Sequence, residues 1–323
     1  MRGLLTSAFF ISVIIIGYAA EKEKVQLKRL FEPDNQSLIV TTRTLTSQSA
    51  TLVQEFAQNA IIGLHATSGT PGNLYNGKSE YNNIKLKATS LKHRRINWQQ
   101  TPKVMLTSKA ATIYAYAPYQ ALYPFNPNRI PIKIAADANY TPDYMYGRQA
   151  VGQKAVSQIS PYAQLQMKYA LVRVTFEVCG EGINDSSYSI SSIQISNRAG
   201  GNLLHSAGTM NIATGQITPD IDTTIPTLLT LVHPMALGTK RVKTENGSLS
   251  SDTPLHINIL PPDKPFSNGD VEVRFRINGS LYLYTFPSTI FWKKGTIYHY
   301  AFSFNGQALK LLNSQTAPWI PGK

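Results

Sequence analysis

Cysteine is almost missing from this chain. One thiol, Cys179, serves 323 residues, so no internal disulfide can form and stability has to come from packing. Cys179 closes the alternating run of residues 171–178, where a lone thiol reads as a small packed residue rather than a nucleophile. Charge is also scarce. Only 15% of residues are Asp, Glu, Lys or Arg, and acids number 18 against 31 bases. That composition, rich in Tyr, Thr, Ser, Asn and Ile, suits strands and turns better than helices, and all-β is the class it implies.

Site chemistry is missing too. The six histidines stand apart from one another and from carboxylates. There is no HExxH and no CxxC, so no metal site is indicated, and the glycine-bearing stretch from Gly63 to Gly72 lacks the following helix of a phosphate loop. A spatial Ser/His/Asp set is not visible in sequence order, and the expectation is a non-enzymatic chain without cofactors. The formal charge of +13 is dispersed over strand ends and turns, as at Lys92 to Arg95, Lys240 to Lys243 and Lys293-Lys294. It reads as solvated surface rather than a nucleic-acid footprint, and no nucleic-acid partner is expected.

No apolar run of spanning length follows residue 20. Residues 1–20 carry Arg2 and then a run through Phe9, Phe10, Ile11 and Val13 to Ile16, which reads as a secretory signal peptide with Gly17 and Ala19 meeting the small-x-small rule. An uncleaved anchor is the alternative for that segment. Residues 21–36 are charged and patternless and read as a flexible leader.

What the chain does have is alternation. Residues 296–304 place Tyr298, Tyr300, Phe302 and Phe304 on one face and Ile297, His299, Ala301 and Ser303 on the other, a half-buried strand with His299 facing outward. Ile113, Ala115 and Ala117 oppose Tyr114 and Tyr116 in the same way. Residues 271–277 alternate as well, and the Asn278-Gly279 pair after them signals a hairpin into Leu281. Short strands punctuated by proline and glycine suggest sandwich packing in two domains, residues 37–160 and 161–323. Paired tyrosines such as Tyr282 with Tyr284 are read mainly as core and cross-strand neighbours, with a sugar-stacking surface as the other possibility. After Asn305-Gly306 the chain adds a tail, residues 306–323, with Leu309, Leu311, Leu312, Trp319 and Ile320 as spare apolar positions. Residues 309–312 could instead complete their own sheet as a closing edge strand.

Five segments in order carry a family likeness: the early strand ending Thr42-Arg43-Thr44, ATIYAYAPY at 111–119, Asp143-Tyr144-Met145-Tyr146-Gly147, LQMKYALVRVTFEV at 165–178, and the closing KKGTIYHYAFSF. Together they resemble the fimbrillin superfamily, the Bacteroidetes type V pilus subunits. The resemblance implies two transthyretin-like β-sandwich domains with a C-terminal strand extension, export to the cell outer membrane surface, and assembly into a fimbrium. Its implied partners are other pilin subunits and an Arg/Lys-specific protease. In such pilins an N-terminal strand fills a groove until proteolysis releases it, and the C-terminal strand of another subunit replaces it. Carried onto this chain, the displaced strand includes Leu38, Ile39 and Val40, the candidate processing sites are Arg29 and Arg43, and the donor-strand anchors are Leu309, Leu311, Leu312, Trp319 and Ile320. Strand addition of this kind draws affinity from main-chain hydrogen bonds and specificity from side-chain pockets. A surface adhesin or glycan-binding module, touching host glycans or proteins through exposed tyrosines and the loop 120–131, is the alternative. Many family members carry a cysteine directly after the signal peptide; here none precedes Cys179, so either export proceeds by ordinary signal cleavage or the true start lies elsewhere, and a lipid-anchored precursor is in doubt.

Overall fold

The computed structural model describes residues 36–43, 56–92, 95–183, 187–223, 226–237, 242–243, 249–250, 255–286 and 289–319. Arg29, Ile320, the signal segment and residues 21–35 of the leader lie outside the described residues. In chain order the strands are β1 (Ile39–Arg43), β2 (Ile61–Thr67), β3 (Ile84–Lys92), β4 (Arg95–Thr101), β5 (Thr112–Ala117), β6 (Ile130–Lys133), β7 (Met145–Gln149), β8 (Tyr162–Tyr169), β9 (Val172–Gly180) and β10 (Ser189–Asn197). They continue as β11 (Ala207–Met210), β12 (Ile217–Pro219), β13 (Pro226–Ala236), β14 (Val242–Lys243), β15 (Leu249–Ser250), β16 (Leu255–Ile259), β17 (Val271–Ile277), β18 (Ser280–Thr285), β19 (Thr296–Phe304) and β20 (Leu309–Pro318). Helix is confined, among the described residues, to three single 3-10 turns. The all-β expectation holds.

The first half is one seven-stranded sheet in the order β1-β8-β7-β5-β2-β3-β4. Strand β5 is central, and both of its faces are used. Ile113, Ala115 and Ala117 enter the first core, while Tyr114 and Tyr116 enter a second cluster on the opposite side. A strand buried on both faces must be apolar throughout, as ATIYAYA is. The sheet rolls until its ends meet: Leu38 N donates to Val104 O at 2.9 Å, and Leu106 N donates to Gln36 O at 3.0 Å. Residues 104–106 follow β4 and, among the described residues, bridge to the chain at Ser37 and Met105.

The second half packs a sheet β13-β10-β17-β18 against a sheet β16-β9-β19-β20. Phe275 of β17 meets Phe176 of β9 edge-on at 5.7 Å and Phe302 of β19 at 5.1 Å. The β17–β18 hairpin turns on Asn278 and Gly279, both with positive φ, 47° and 79°. Two consecutive left-handed residues are what a two-residue hairpin needs, and Asn-Gly supplies them at low cost. A small sheet β12-β11-β6 joins the halves, because β6 comes from the first and β11 from the second.

Residues 165–178, one continuous run in the sequence, fall in two strands of different sheets. In β8 the odd positions Ala163, Leu165 and Met167 face the first core; in β9 the even positions Val172, Val174, Phe176 and Val178 face the second. The alternation slips phase at Ala170-Leu171, where both residues are fully buried in the junction cluster. A slip of one residue sends every later side chain to the opposite face, which is how one run can serve two cores. Strand β8, assigned to the second domain by a boundary at residue 160, therefore lies in the first sheet, between β1 and β7.

Candidate assembly interface at the two terminal strands

Strand β1 runs parallel to β8, with Ile39 opposite Tyr162 and Arg43 opposite Gln166. Its alternation sets its faces: Leu38 and Val40 are buried in the first core, and Ile39 is 41% exposed. Ile39 N donates to Pro161 O at 2.7 Å. On the other side the Gln100 side chain donates to Leu38 O and accepts from Val104 N. The strand thus lies in a slot between β8 and residues 104–106, hydrogen-bonded on both sides near Leu38. Arg43 is its last residue.

Strand β20 is held on one side only. It pairs antiparallel with β19 from Phe304↔Leu309 to Thr296↔Pro318, with a bulge that leaves Leu312 without an opposite number. The tail therefore completes its own sheet as an edge strand, the alternative left open by the sequence. Leu309 and Leu311 are half-buried against the second core, whereas Leu312 points to solvent. Residues 312–318 are exposed apart from half-buried Gln315.

The tail closes on Trp319, which is only 5% exposed. Its ring stacks on Tyr169 at 3.9 Å and 15° and carries the Arg173 guanidinium over its face at 4.0 Å. Trp319 N donates to Gly295 O at 2.8 Å. Arg173 in turn donates to Asp143 Oδ1 and Asn258 Oδ1, both at 3.0 Å, and Asn258 donates to the same Asp143 oxygen at 2.9 Å. A charge-assisted pair held by a third polar group fixes the guanidinium plane, and stacking on it is favourable. The last described residue of the chain thus pins Tyr169, the end of β8, to Arg173 of β9.

That network explains the Asp143 to Gly147 segment. Asp143 orients Arg173, Tyr144 Oη lies 3.1 Å from Lys133 N and 3.2 Å from Lys133 O, and Met145 enters the first core. Tyr146 lies under the Lys294 ammonium at 5.1 Å. A Cβ on Gly147 would run into the Gln166 carbonyl of β8. Sequence reading named this segment only as a likeness; its role in joining the halves depends on long-range pairing that spacing does not display.

Two other sequence expectations meet the structure here. Tyr114, Tyr116, Tyr144, Tyr298 and Tyr300 are buried, and Tyr146, Tyr282 and Tyr284 are half-buried, as a core role requires. Burial pushes the Tyr116 phenol up to about 12, with the Gln120 backbone and Asn83 hydrogen bonds opposing. His299, expected to face solvent, instead sits 2.9 Å from Thr175 Oγ1 and 3.4 Å from Glu177 Oε2, both on β9. The parallel β9–β19 pairing brings them together. Among the described residues no group of three or more His, Cys, Asp or Glu is arranged to hold a metal ion, and no helix is long and apolar enough to cross a membrane.

A sequence model of the fimbrillin-like family matches residues 42–319. No curated protein matches the chain. Among solved structures, the fold is similar to a candidate cell adhesion protein from Bacteroides uniformis, with 16% identity, TM-score 0.59, and coverage of 89% of this chain and 100% of that one. It is also similar to a fimbrial protein from Bacteroides vulgatus, at 14% identity and TM-score 0.55, covering 88% and 100%. These likenesses concern the fold.

Proposed function

The chain belongs to the fimbrillin-like family, and from that membership we propose that it is a structural fimbrial subunit, exported to the outer surface of the cell and assembled there by strand exchange. In this reading residues 1–20 are a cleaved signal peptide, and the two halves are transthyretin-like β-sandwich domains meeting at Ala170-Leu171. The tail from Leu309 is the strand extension.

The observation that carries the reading is the position of β1. Leu38 and Val40 fill the first core from a slot bordered by β8 and residues 104–106. A strand seated in a slot with partners on both sides leaves apolar surface and unpaired backbone groups behind when it goes, and another strand of matching alternation can replace both. Cleavage after Arg43 cuts at the end of β1 and frees the strand. Cleavage after Arg29 leaves β1 covalently joined to β2, so Arg43 is the site this mechanism requires. The replacement is the tail of a second copy, with Leu309, Leu311, Leu312, Trp319 and Ile320 as its anchors; its single-sided pairing with β19 makes it the cheaper strand to lift. An adhesin or glycan-binding role is favoured by one observation, the fully exposed Tyr123 ring.

The test treats purified precursor with an Arg-specific protease and follows ladders by electrophoresis. Wild type polymerises, while Arg43→Ala and a chain truncated before Leu309 stay monomeric. Persistent monomers in treated wild type, or ladders unchanged by the truncation, overturn the proposal.

A further inference from the structure

Beside the 3-10 turn Ser79–Tyr81, the loop that follows β5 forms a cleft of about 660 Å³, lined by Ser79, Glu80, Asn82, Tyr119, Tyr123 and Phe125 among others. That volume is typical of small-molecule sites, which combine apolar walls with a few fixed polar groups. Its walls are held from beneath. Asn83 donates to Gln120 O at 2.9 Å, Asn82 donates to Phe125 O at 3.2 Å, and Gln120 N donates to Tyr116 Oη at 3.1 Å. The Phe125 ring stacks on Tyr116 at 5.6 Å and 24°, with His65 beside it at 5.8 Å. On top of this fixed floor the Tyr123 side chain is 99% exposed, next to half-buried Tyr119. A tyrosine on a braced loop presents an apolar face and a hydroxyl to solvent.

The charge of the cleft narrows the ligand. On a chain with formal charge +13, no Lys or Arg lines this cleft, and its only charged lining residue is Glu80. Two other clefts differ, one bordered by Arg129 and Lys133, the other by Arg198 and Lys264. Lys78 Nζ, outside the lining, lies 3.6 Å from Glu80 Oε1, which leaves Glu80 Oε2 to accept hydrogen bonds from hydroxyls, and the lack of a cation in the lining itself disfavours phosphate, sulfate or carboxylate ligands. Flat aromatic faces, amides and one carboxylate match the C–H faces and hydroxyl edges of a pyranose ring.

We propose that the cleft between Glu80 and Tyr123 binds uncharged carbohydrate, a short neutral oligosaccharide stacking on Tyr123 and Tyr119 and donating hydroxyl protons to Glu80. Binding requires neither cleavage at Arg43 nor the tail, so it is separable from polymerisation. The test probes unassembled full-length protein on an array of neutral, sialylated and sulfated oligosaccharides, followed by calorimetry with the strongest neutral hit. Binding confined to neutral sugars is expected, weakened at least tenfold by Tyr123→Ala and by Glu80→Gln. Tyr140→Ala, at another exposed tyrosine, leaves it unchanged. Since Tyr123 packs on nothing, its variant keeps the wild-type melting temperature. No binding by wild type, a preference for sialylated or sulfated sugars, or wild-type affinity in Tyr123→Ala each overturns the proposal.

Discussion

Strands β1, of 5 residues, and β20, of 10, each lie at the margin of their sheet, yet they are attached in opposite ways. Strand β1 sinks two aliphatic side chains completely into a core and finds backbone partners on both sides. Strand β20 is bonded along one side, half-buries Leu309 and Leu311, and concentrates its hold in a single indole. Margin position alone therefore does not measure how firmly a strand is kept. The first strand is part of its half's interior; the second covers one side of β19 and reaches the cores only through Leu309, Leu311 and the Trp319 that follows it.

The sharpest way to break this contrast is to place a carboxylate at each strand. Leu38→Asp buries an uncompensated charge and is expected to lower the unfolding free energy by more than about 4 kcal/mol, whereas Leu312→Asp stays within about 0.5 kcal/mol. Chemical denaturation of both variants measures this, and comparable losses would erase the distinction. Trp319→Ala comes next. Loss of its stacking on Tyr169 and under Arg173 is expected to cost about 3 kcal/mol, in the range for deleting a buried aromatic. Hydrogen exchange should then rise along residues 309–318 while residues 39–43 keep their protection. Protection lost equally in both would mean that the two attachments are coupled.

Acid gives the smallest effect and tests the first half alone. His65 is fully buried, with its ring nitrogens 2.7 Å from the Asn82 and Pro71 carbonyl oxygens, and the neutral ring donates to one of them. Burial holds its pKa below the ordinary value of 6.5, and the two carbonyls oppose that without overcoming it. The unfolded chain then takes up the proton more readily than the folded one. The stability His65 contributes is thus complete above about 6.5 and declines as the pH falls below it. Exchange protection of residues 61–67 should fall between pH 7 and 5.5 relative to residues 296–304. His65→Gln should flatten that dependence, and an unchanged slope in the variant would remove His65 as its source.

Much of the fold was legible in local pattern. The hairpin at Asn278-Gly279 follows from two residues suited to positive φ between alternating runs, and the two-faced β5 follows from small and aromatic residues in alternation. The break between β8 and β9 was also visible, as the change from odd to even apolar positions near Leu171, but a continuous apolar run conceals it unless phase is tracked. Position His299 went astray because its neighbours Thr175 and Glu177 are more than 120 residues away in the chain and arrive through parallel pairing. The terminal strands could be picked out by their alternation, whereas the slot around β1 and the Arg173 platform under Trp319 depend on contacts between distant segments. Cores and turns are written locally; the joints between them are not.

The place of Trp319 also decides how the chain bears load. Tension applied to the chain beyond residue 319 reaches the indole first, and only after the ring slips from between Tyr169 and Arg173 can β20 peel from β19, one rung at a time from Pro318 toward Leu309. The breaking strength of that end is then governed by one side chain and its two neighbours rather than by the length of the strand behind it.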